Sequence, residues 1–223
     1  MDGLRGLLVT IARRAYALGL ASGASGNLSA RVPGGPAILI KATGKSLGDM
    51  ASEDTLLIDL EGNLLERDRQ ARRRSLRPSI EWRFHTAIYR CRPDVGAVVH
   101  LHPPHAAAFA ALKALPPFLT DEARTFLEGK TALIPPAPSG SRELAGAVVE
   151  AFQDPANQAA IIAEHGTITV GPDLYAAFYM SQYLEDASRT ACLVRQLRGV
   201  SDGRDGRREV RRSAARGRRR RSG

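Results

Sequence analysis

Apolar residues recur at helical spacing over the first twenty positions of the chain. Between residues 3 and 19, leucine, isoleucine and alanine return every three or four positions, while Arg13 and Arg14 fall on the opposite side. A period of 3.6 residues is typical of a helix with one buried face. The same spacing, with proline and glycine marking the ends, predicts helices over residues 3–19, 80–90, 105–115, 141–152 and 173–197. Ser79 is the expected N-cap of the second of these helices.

Short runs of aliphatic and β-branched residues separate the helices and predict strands. The clearest is AVVHLH at residues 97–102, which is closed by Pro103 and Pro104. The predicted strands cover residues 27–32, 37–41, 55–60, 95–102, 132–134, 159–163 and 167–170. Helices and strands do not alternate strictly, so their order predicts an α/β fold with helices flanking a largely antiparallel or mixed sheet.

The basic residues are concentrated at the C-terminal end. The formal net charge is +9 over 223 residues, and residues 199–223 alone hold ten arginines and three acidic residues, a net charge of +7. This segment is rich in glycine and serine and almost free of apolar residues, so we expect it to be disordered. The chain is therefore divided into one domain, residues 1–198, and a basic tail, residues 199–223. Weak binding of RNA or of an acidic surface is the alternative to a merely solvated tail.

The sequence lacks the signals of a membrane or secreted protein. No run approaches the roughly 18 apolar residues of a membrane span, and Arg13 and Arg14 interrupt the apolar core that a signal peptide needs. Cys91 and Cys192 lie far apart with no pairing motif, which favours buried thiols in a reducing compartment. We therefore expect a cytoplasmic protein.

Three of the five histidines lie within the eight residues VVHLHPPH, at positions 98–105. In a strand, side chains two residues apart point to the same face about 7 Å apart, so His100 and His102 would form a chelating pair. His165, at the end of another predicted strand, offers a third imidazole. Three histidines and an open fourth position are typical of a catalytic divalent site, preferably zinc. A histidine pair without a metal is the plainer alternative.

One carboxylate and two small loops complete the candidate chemistry. Glu81 lies near the start of a predicted helix, where the dipole stabilises a carboxylate, and it could face a pocket as an acid/base group. His85, one turn later, is either a buried hydrogen-bonded histidine or a group that supports the site. The loops at residues 23–27 and 42–46 are rich in glycine and hydroxyl groups and could bind phosphate, although ordinary turns use the same residues.

The order of these pieces resembles the class II aldolase/adducin family. The segments GASGNLSARV, IKATGKSLGDM, RPSIEWRFHTAIYRCRPDVGAVVHLHPPHA and EHGTITVG follow one another as they do in that family, and the resemblance extends from residue 3 to residue 197. It implies a three-layer αβα sandwich around a mostly antiparallel central sheet. It also implies C4 homotetramers with active sites between neighbouring subunits.

The resemblance assigns roles to individual residues. It implies a Zn²⁺ or similar divalent cation on His100, His102 and His165, with Glu81 as the catalytic acid/base. The phosphate-binding positions of the family are matched by Gly26, Asn27, Thr43, Gly44 and Ser79.

The implied activity is cleavage of a small ketose 1-phosphate to dihydroxyacetone phosphate and an aldehyde, as in fuculose-phosphate aldolases. The bound metal would stabilise the enediolate as a Lewis acid. Three features depart from the family: Ile80 replaces a second serine, residues 116–136 lack a tyrosine, and the tail is rich in arginine. A ribulose-5-phosphate 4-epimerase, a methylthioribulose-1-phosphate dehydratase and a non-catalytic, adducin-like interaction protein remain as alternatives.

Overall fold

A single sheet of seven strands lies at the centre of the computed structural model, which describes residues 1–65 and 75–219, with side chains up to residue 198. The strands run in the order β3-β2-β1-β4-β7-β6-β5, and every neighbouring pair is antiparallel except β5 with β6. The mostly antiparallel sheet is thus confirmed. The strands are β1 Asn27–Arg31, β2 Ala37–Lys41, β3 Thr55–Asp59, β4 Ala97–Leu101, β5 Thr131–Ile134, β6 Ala159–Ile162 and β7 Gly166–Gly171.

Helices cover both faces of this sheet. Within the described ranges they are α1 Asp2–Ala17, α2 Trp82–Cys91, α3 Pro104–Ala111, α4 Asp121–Leu127, α5 Arg142–Phe152 and α6 Leu174–Arg219, with a short 3-10 turn at Ser52–Asp54. Helix α4 was not predicted, because seven residues are too few to show a period. Its start has a local signal nonetheless: the Thr120 hydroxyl accepts a hydrogen bond from the Ala123 N–H at 3.1 Å.

The alternation of strand side chains decides which helices pack on which face. Leu39 of β2 packs in a buried cluster with residues of α1 and α6, such as Leu8 and Phe178. Its neighbours Ile38 and Ile40 point the other way, into a cluster with residues of α2 and α5. Each fully buried aliphatic side chain contributes about 1.5–3 kcal/mol. The two apolar faces produce the αβα sandwich that the resemblance implied, and that fold is confirmed.

Helix α2 begins later than predicted, and Ser79 is not its N-cap. The helix starts at Trp82 with Glu81 as the N-cap residue. The Ser79 N–H donates to the Lys41 carbonyl at 3.0 Å, and Pro78 forms an isolated bridge with Ala42, so the chain at Ser79 still pairs with the end of β2. This long-range pairing delays the start of the helix by two residues, from the predicted residue 80 to Trp82.

Helix α6 runs past the predicted end at residue 197. Its backbone extends to Arg219, whereas side chains beyond residue 198 and residues 220–223 lie outside the described part, so the nature of the basic tail stays a prediction. Among the described helices, none is long and apolar enough to cross a membrane. Cys91 and Cys192 are free thiols, as predicted, but both are half-buried rather than buried.

Candidate metal centre and catalytic site

His100 is held at the centre of the sheet. It lies in β4 between β1 and β7, paired with Asn27 on one side and Ile168 on the other, and its side chain is completely buried. Its Nδ1–H donates to the Thr167 carbonyl at 2.8 Å. This hydrogen bond fixes the ring and leaves Nε2 as the free, electron-donating nitrogen, as is usual for a histidine that binds a metal.

His102 and His165 complete a cluster of three imidazoles around that nitrogen. His102 lies one residue beyond β4, and its Nε2 is 3.0 Å from Nε2 of His100. His165 lies in the turn between β6 and β7. One ligand atom from each of the three histidines lies within 4.8 Å of the others. The predicted metal ligands are therefore brought together, although they are separated by up to 65 positions in the chain.

Gly166 allows the close approach of the two outer ligands. A β-carbon built on Gly166 would lie 2.5 Å from Cδ2 of His102 and 2.7 Å from the Leu101 carbonyl oxygen. Any larger residue would have to displace the His102 ring or the end of β4. The sequence pair His165-Gly166 thus packs one ligand loop directly against the other.

The Glu81 carboxylate closes the remaining side of the cluster. Its Oε2 lies 3.1 Å from Nε2 of His100 and its Oε1 lies 3.2 Å from Nε2 of His165. The side chain is buried, and Asn27 Nδ2 donates to Oε2 at 2.8 Å, whereas no residue in the described part of the chain donates a hydrogen bond to Oε1. One oxygen of the carboxylate is therefore anchored by a hydrogen bond, and the other faces His165 without one.

The protonation states of these groups suit a cation. Burial would raise the pKa of Glu81, but His100, Asn27 and His165 outweigh it and hold the pKa of the carboxyl well below its usual range. Burial, followed by repulsion from His100 and His165, lowers the pKa of His102 to about 4. Burial and His100 also lower the pKa of His165. Neutral imidazoles beside an ionised carboxylate are the form that binds a divalent ion.

These residues fit a zinc ion. Nitrogens bound to tetrahedral zinc lie about 3.3 Å apart, given Zn–N distances of 2.0–2.1 Å. The observed separations bracket this value, from 3.0 Å between His100 and His102 to at most 4.8 Å within the cluster. The Glu81 carboxylate lies beside the same nitrogens, with Oε2 3.1 Å from Nε2 of His100 and Oε1 3.2 Å from Nε2 of His165. The three histidines would hold the ion, and Glu81 would stand beside it.

A cavity of about 210 Å³ connects this cluster to the two glycine-containing loops. Its wall includes Glu81, His102 and His165, while His100 lies behind them. All five positions that the resemblance assigned to phosphate binding line the same cavity: Gly26, Asn27, Thr43, Gly44 and Ser79. The structure brings the two halves of the predicted site together, and the roles of these residues stay predictions.

Lys41 also lines this cavity and was missed by the sequence analysis. It is 3% exposed, and its Nζ donates to the Ala24 carbonyl at 3.1 Å. Burial lowers the pKa of its amine to about 8, an effect that nearby Glu81 partly offsets. A lysine ending the apolar strand AILIK was the available signal, because it shares a face with Thr43 two residues later.

Ser139 is a second wall residue that the sequence did not indicate. It lies in the loop between β5 and α5, with Oγ 3.4 Å from Nε2 of His165. The next residue, Gly140, has φ +73, and a β-carbon there would lie 2.6 Å from the Ile80 carbonyl oxygen. Arg83 donates to the Gly140 carbonyl at 3.0 Å. These contacts hold Ser139 at the mouth of the cavity.

Two other features lie apart from the cluster. His105 is hydrogen-bonded through Nδ1 to Glu185 at 2.7 Å near the start of α3, so it belongs to the packing of α3 on α6. A larger groove of about 890 Å³ lies between α2 and α5, but its wall includes none of the clustered histidines. We place the candidate site in the smaller cavity, because the convergent polar groups are there.

The chain is similar to a set of enzymes that act on small sugar phosphates. The model of the class II aldolase and adducin N-terminal domain matches residues 6–192. An L-fuculose phosphate aldolase from Methanococcus maripaludis is 32% identical over 190 residues, covering 85% of this chain and 97% of that protein. A 5-methylthioribulose-1-phosphate/5-deoxyribulose-1-phosphate aldolase from Rhodospirillum rubrum is 36% identical, covering 82% of this chain and 77% of that protein.

A relative with a different reaction and a solved structure complete the comparison. A 3-oxo-tetronate 4-phosphate decarboxylase from Haemophilus influenzae is 33% identical, covering 82% of this chain and 84% of that protein. The crystal structure of L-fuculose-1-phosphate aldolase from Thermus thermophilus superposes with a TM-score of 0.73 at 27% identity, covering 88% of this chain and 96% of that one. The family match spans most of the chain, and the solved aldolase structure superposes on 88% of it. This protein therefore belongs to the class II aldolase/adducin family.

Proposed function

We propose that this protein is a zinc-dependent aldolase that cleaves a small ketose 1-phosphate to dihydroxyacetone phosphate and an aldehyde. One observation carries the proposal: a single cavity joins the two glycine-containing loops to the histidine cluster and to the free oxygen of Glu81. A phosphate held at the loops would place the carbons of a short sugar at the cluster. Binding energy at one end of the substrate would then orient the reacting end.

The phosphate end would be bound by small residues and one cation. Loop residues such as Gly26, Thr43 and Gly44 offer backbone and hydroxyl groups without bulk, and Ser79 lies opposite them. Lys41 supplies a positive charge in a place where water is largely excluded. A buried amine next to a dianionic phosphate is a strong, charge-assisted contact. We therefore add Lys41 to the proposed phosphate site.

The reacting carbons of the substrate would lie next to the three histidines and Glu81. A divalent ion held by His100, His102 and His165 would supply a Lewis acid that stabilises negative charge developing on the substrate. In the direction of synthesis, the Glu81 carboxylate takes a proton from C3 of dihydroxyacetone phosphate. In the direction of cleavage, the C4 hydroxyl gives up its proton as the C3–C4 bond breaks and the aldehyde forms. Glu81 takes up one proton and delivers it to C3, so that the reaction neither consumes nor releases a proton overall. A lysine Schiff base is not needed for this reaction.

Two exposed residues lie at the rim of the cavity and would contact the substrate. Ile80 is 61% exposed and stands where the resemblance leads one to expect a second serine beside the phosphate, and Ser139 offers a hydroxyl close to His165, where the aldehyde half would lie. The tyrosine that the resemblance leads one to expect within residues 116–136 is missing. Because the related aldolases and the decarboxylase named above share the scaffold, these rim residues are the place where their substrates would be distinguished.

We also propose that the protein forms homotetramers. Several large apolar side chains are exposed on the surface of the single chain, among them Tyr16, Phe126, Tyr175 and Tyr179. Burial of such residues between subunits would favour association. Light scattering coupled to size exclusion should then give a mass four times the 24.0 kDa of one chain. A monomeric mass would contradict this assembly.

The first experiment combines metal analysis with a substrate panel. Purified protein is assayed for zinc and for dihydroxyacetone phosphate release from a series of ketose 1-phosphates, with Glu81→Gln as the control. We expect about one zinc per chain and release that the substitution lowers by about 10²–10⁴-fold. Bound zinc without release would favour the decarboxylase, epimerase or dehydratase reaction, each tested with its own substrate. Absence of both would favour an adducin-like interaction protein.

A further inference from the structure

A chain of buried polar side chains leads away from Glu81 into the core between β1 and α2. It is formed by Ser29 on β1 and by His85 and Tyr89 on α2, and the largest exposed fraction among them is 2%, at Tyr89. These residues do not line the cavity of the candidate site. A buried polar cluster has a large desolvation cost, so its presence directly behind a catalytic carboxylate calls for an explanation.

The contacts run without a gap from the carboxylate to the tyrosine. Asn27 Nδ2 is 2.8 Å from Glu81 Oε2, and Asn27 Oδ1 is in hydrogen-bond contact with Nε2 of His85. On the other side of the ring, Nδ1 of His85 is 2.7 Å from the Ser29 hydroxyl. That hydroxyl is 2.9 Å from the Tyr89 hydroxyl. Four hydrogen bonds in series thus connect Tyr89 to Glu81.

Only one direction of donation satisfies all four contacts. An ionised carboxylate accepts but does not donate, so Asn27 turns its NH₂ group to Glu81 and its oxygen to His85. His85 must then carry its proton on Nε2, which leaves Nδ1 to accept from Ser29. Ser29 in turn accepts from Tyr89. Burial, reinforced by repulsion from His100, lowers the pKa of His85 to about 3, which agrees with a neutral ring that has one donor and one acceptor nitrogen.

We propose that Tyr89, Ser29 and His85 are positioning residues for the proton transfer by Glu81. By fixing the tautomer of His85 they fix the amide orientation of Asn27, which anchors Oε2 of Glu81 and keeps Oε1 free for the substrate. This inference rests on the proposed function, since it names the residues that orient Glu81, the acid/base of that same site. If the Ser29 hydroxyl is removed, Nδ1 of His85 loses its only donor in the chain, so the ring, and the Asn27 amide that it holds against Oε2, are fixed less firmly.

The test isolates the proton step from bond cleavage. Zinc-loaded protein is incubated with dihydroxyacetone phosphate in D₂O, and exchange of the C3 hydrogen is followed by proton NMR. The central pair of variants is Ser29→Ala, which removes the hydroxyl, and Ser29→Thr, which keeps it. Tyr89→Phe removes the last donor, and Ile88→Val is the control, because Ile88 is a fully buried neighbour on the same helix that is outside the chain.

We expect Ser29→Ala to slow exchange at saturation by about 10–100-fold, the usual effect of losing an outer hydrogen-bond partner at a metal site. The KM for dihydroxyacetone phosphate and the zinc content should stay within about twofold, because neither the phosphate loops nor the metal ligands change. Ser29→Thr should restore most of the rate, and Tyr89→Phe should slow exchange less than Ser29→Ala does.

Two results would overturn the assignment. The first is an exchange rate for Ser29→Ala equal to that of the wild type. The second is an exchange rate that Ile88→Val lowers as much as Ser29→Ala does, when the two variants have lost the same amount of melting temperature. That result would mean that Ser29 has a purely structural role. Failure of the proposed function gives a different result: the unsubstituted protein itself would exchange no faster than Glu81→Gln.

Discussion

Gly166 and His102 are in contact so close that the glycine has no room for a side chain: a β-carbon on Gly166 would lie 2.5 Å from Cδ2 of the His102 ring. The next residue along, Thr167, accepts the hydrogen bond that orients His100. The beginning of β7 therefore sets the position of two candidate metal ligands, His100 on the neighbouring strand β4 and His102 just after it. His165 comes from the turn just before β7, so the cluster depends on the register between β4 and β7.

Substitution of Gly166 by alanine should impair metal binding. The added methyl group would push the His102 ring out of the cluster, and we expect zinc affinity to fall by about 10–100-fold, as for other losses of ligand orientation. Competition with a chromophoric chelator measures this affinity. Gly146→Ala is the matched control, because nothing lies within 4 Å of a β-carbon there and the residue is in helix α5. Equal zinc affinity in the two variants would contradict the packing argument.

Substitution of His100 by alanine should remove the metal and the activity while the oligomer stays largely intact. The residue offers the central nitrogen of the cluster, but its loss leaves the surrounding apolar packing in place. Zinc analysis, the aldolase assay and light scattering test the three parts of this prediction. His105→Ala serves as a comparison, since His105 hydrogen-bonds Glu185 outside the cluster and its variant should keep zinc. A His100→Ala protein that is active without metal would refute the site.

Lys41 should make substrate binding depend on pH. Its amine is charged below a pKa of about 8 and neutral above it, so KM for a phosphorylated substrate should rise as the pH passes about 8. Lys41→Met should raise KM about 10–100-fold at neutral pH and abolish this rise. Lys45→Met is the control, because Lys45 pairs with Asp54 at 3.2 Å and does not line the cavity. A pH profile shared by wild type and Lys41→Met would exclude the amine as its source.

The same lysine should make the free protein less stable than its variant. An ordinary lysine has a pKa of 10.5, so between about pH 8 and 10.5 the unfolded chain binds more protons than the folded one. The contribution of Lys41 to stability therefore rises with pH over this window. Lys41→Met should have the higher melting temperature at pH 7, and the difference should shrink as the pH approaches 10. A lower melting temperature for the variant at pH 7 would mean that the buried charge is well compensated.

Deletion of residues 199–223 tests whether the basic segment acts independently of the candidate site. We expect a chain ending at residue 198 to keep zinc and activity, because the candidate site lies within residues 24–165. If the tail binds RNA, the shortened chain, which lacks the tail's net charge of +7, should no longer be retained on an RNA matrix. Retention of the full chain should weaken as salt is added. Unchanged retention would remove the tail as a nucleic-acid contact.

Local sequence signals predicted most of the strands and helices, and contacts between distant segments explain the misses. Strands bounded by proline or glycine were found within one or two residues of their bounds. Helix α4 escaped because it is too short to show a period, and the start of α2 was misplaced because Ser79 pairs with Lys41 across the sheet. The histidine pair at 100 and 102 was readable from strand geometry. That this pair shares a site with Glu81 was predicted from the resemblance alone, because the spacing of residues along the chain does not reveal which loops meet at the ends of a sheet.

The loop that carries Ser139 begins at β5, the outermost strand of the sheet, whereas His100 lies on β4 at its centre. A loop attached to a border strand can change its length or composition while only one neighbouring strand must adapt. Strands β4 and β7, which position the histidine cluster, are each paired on both sides and do not have that freedom. If the proposed function holds, evolution could exchange the part of the site that would select the aldehyde while the part that would polarise the sugar stays constant. Such a division allows closely related chains on one scaffold to consume different sugars.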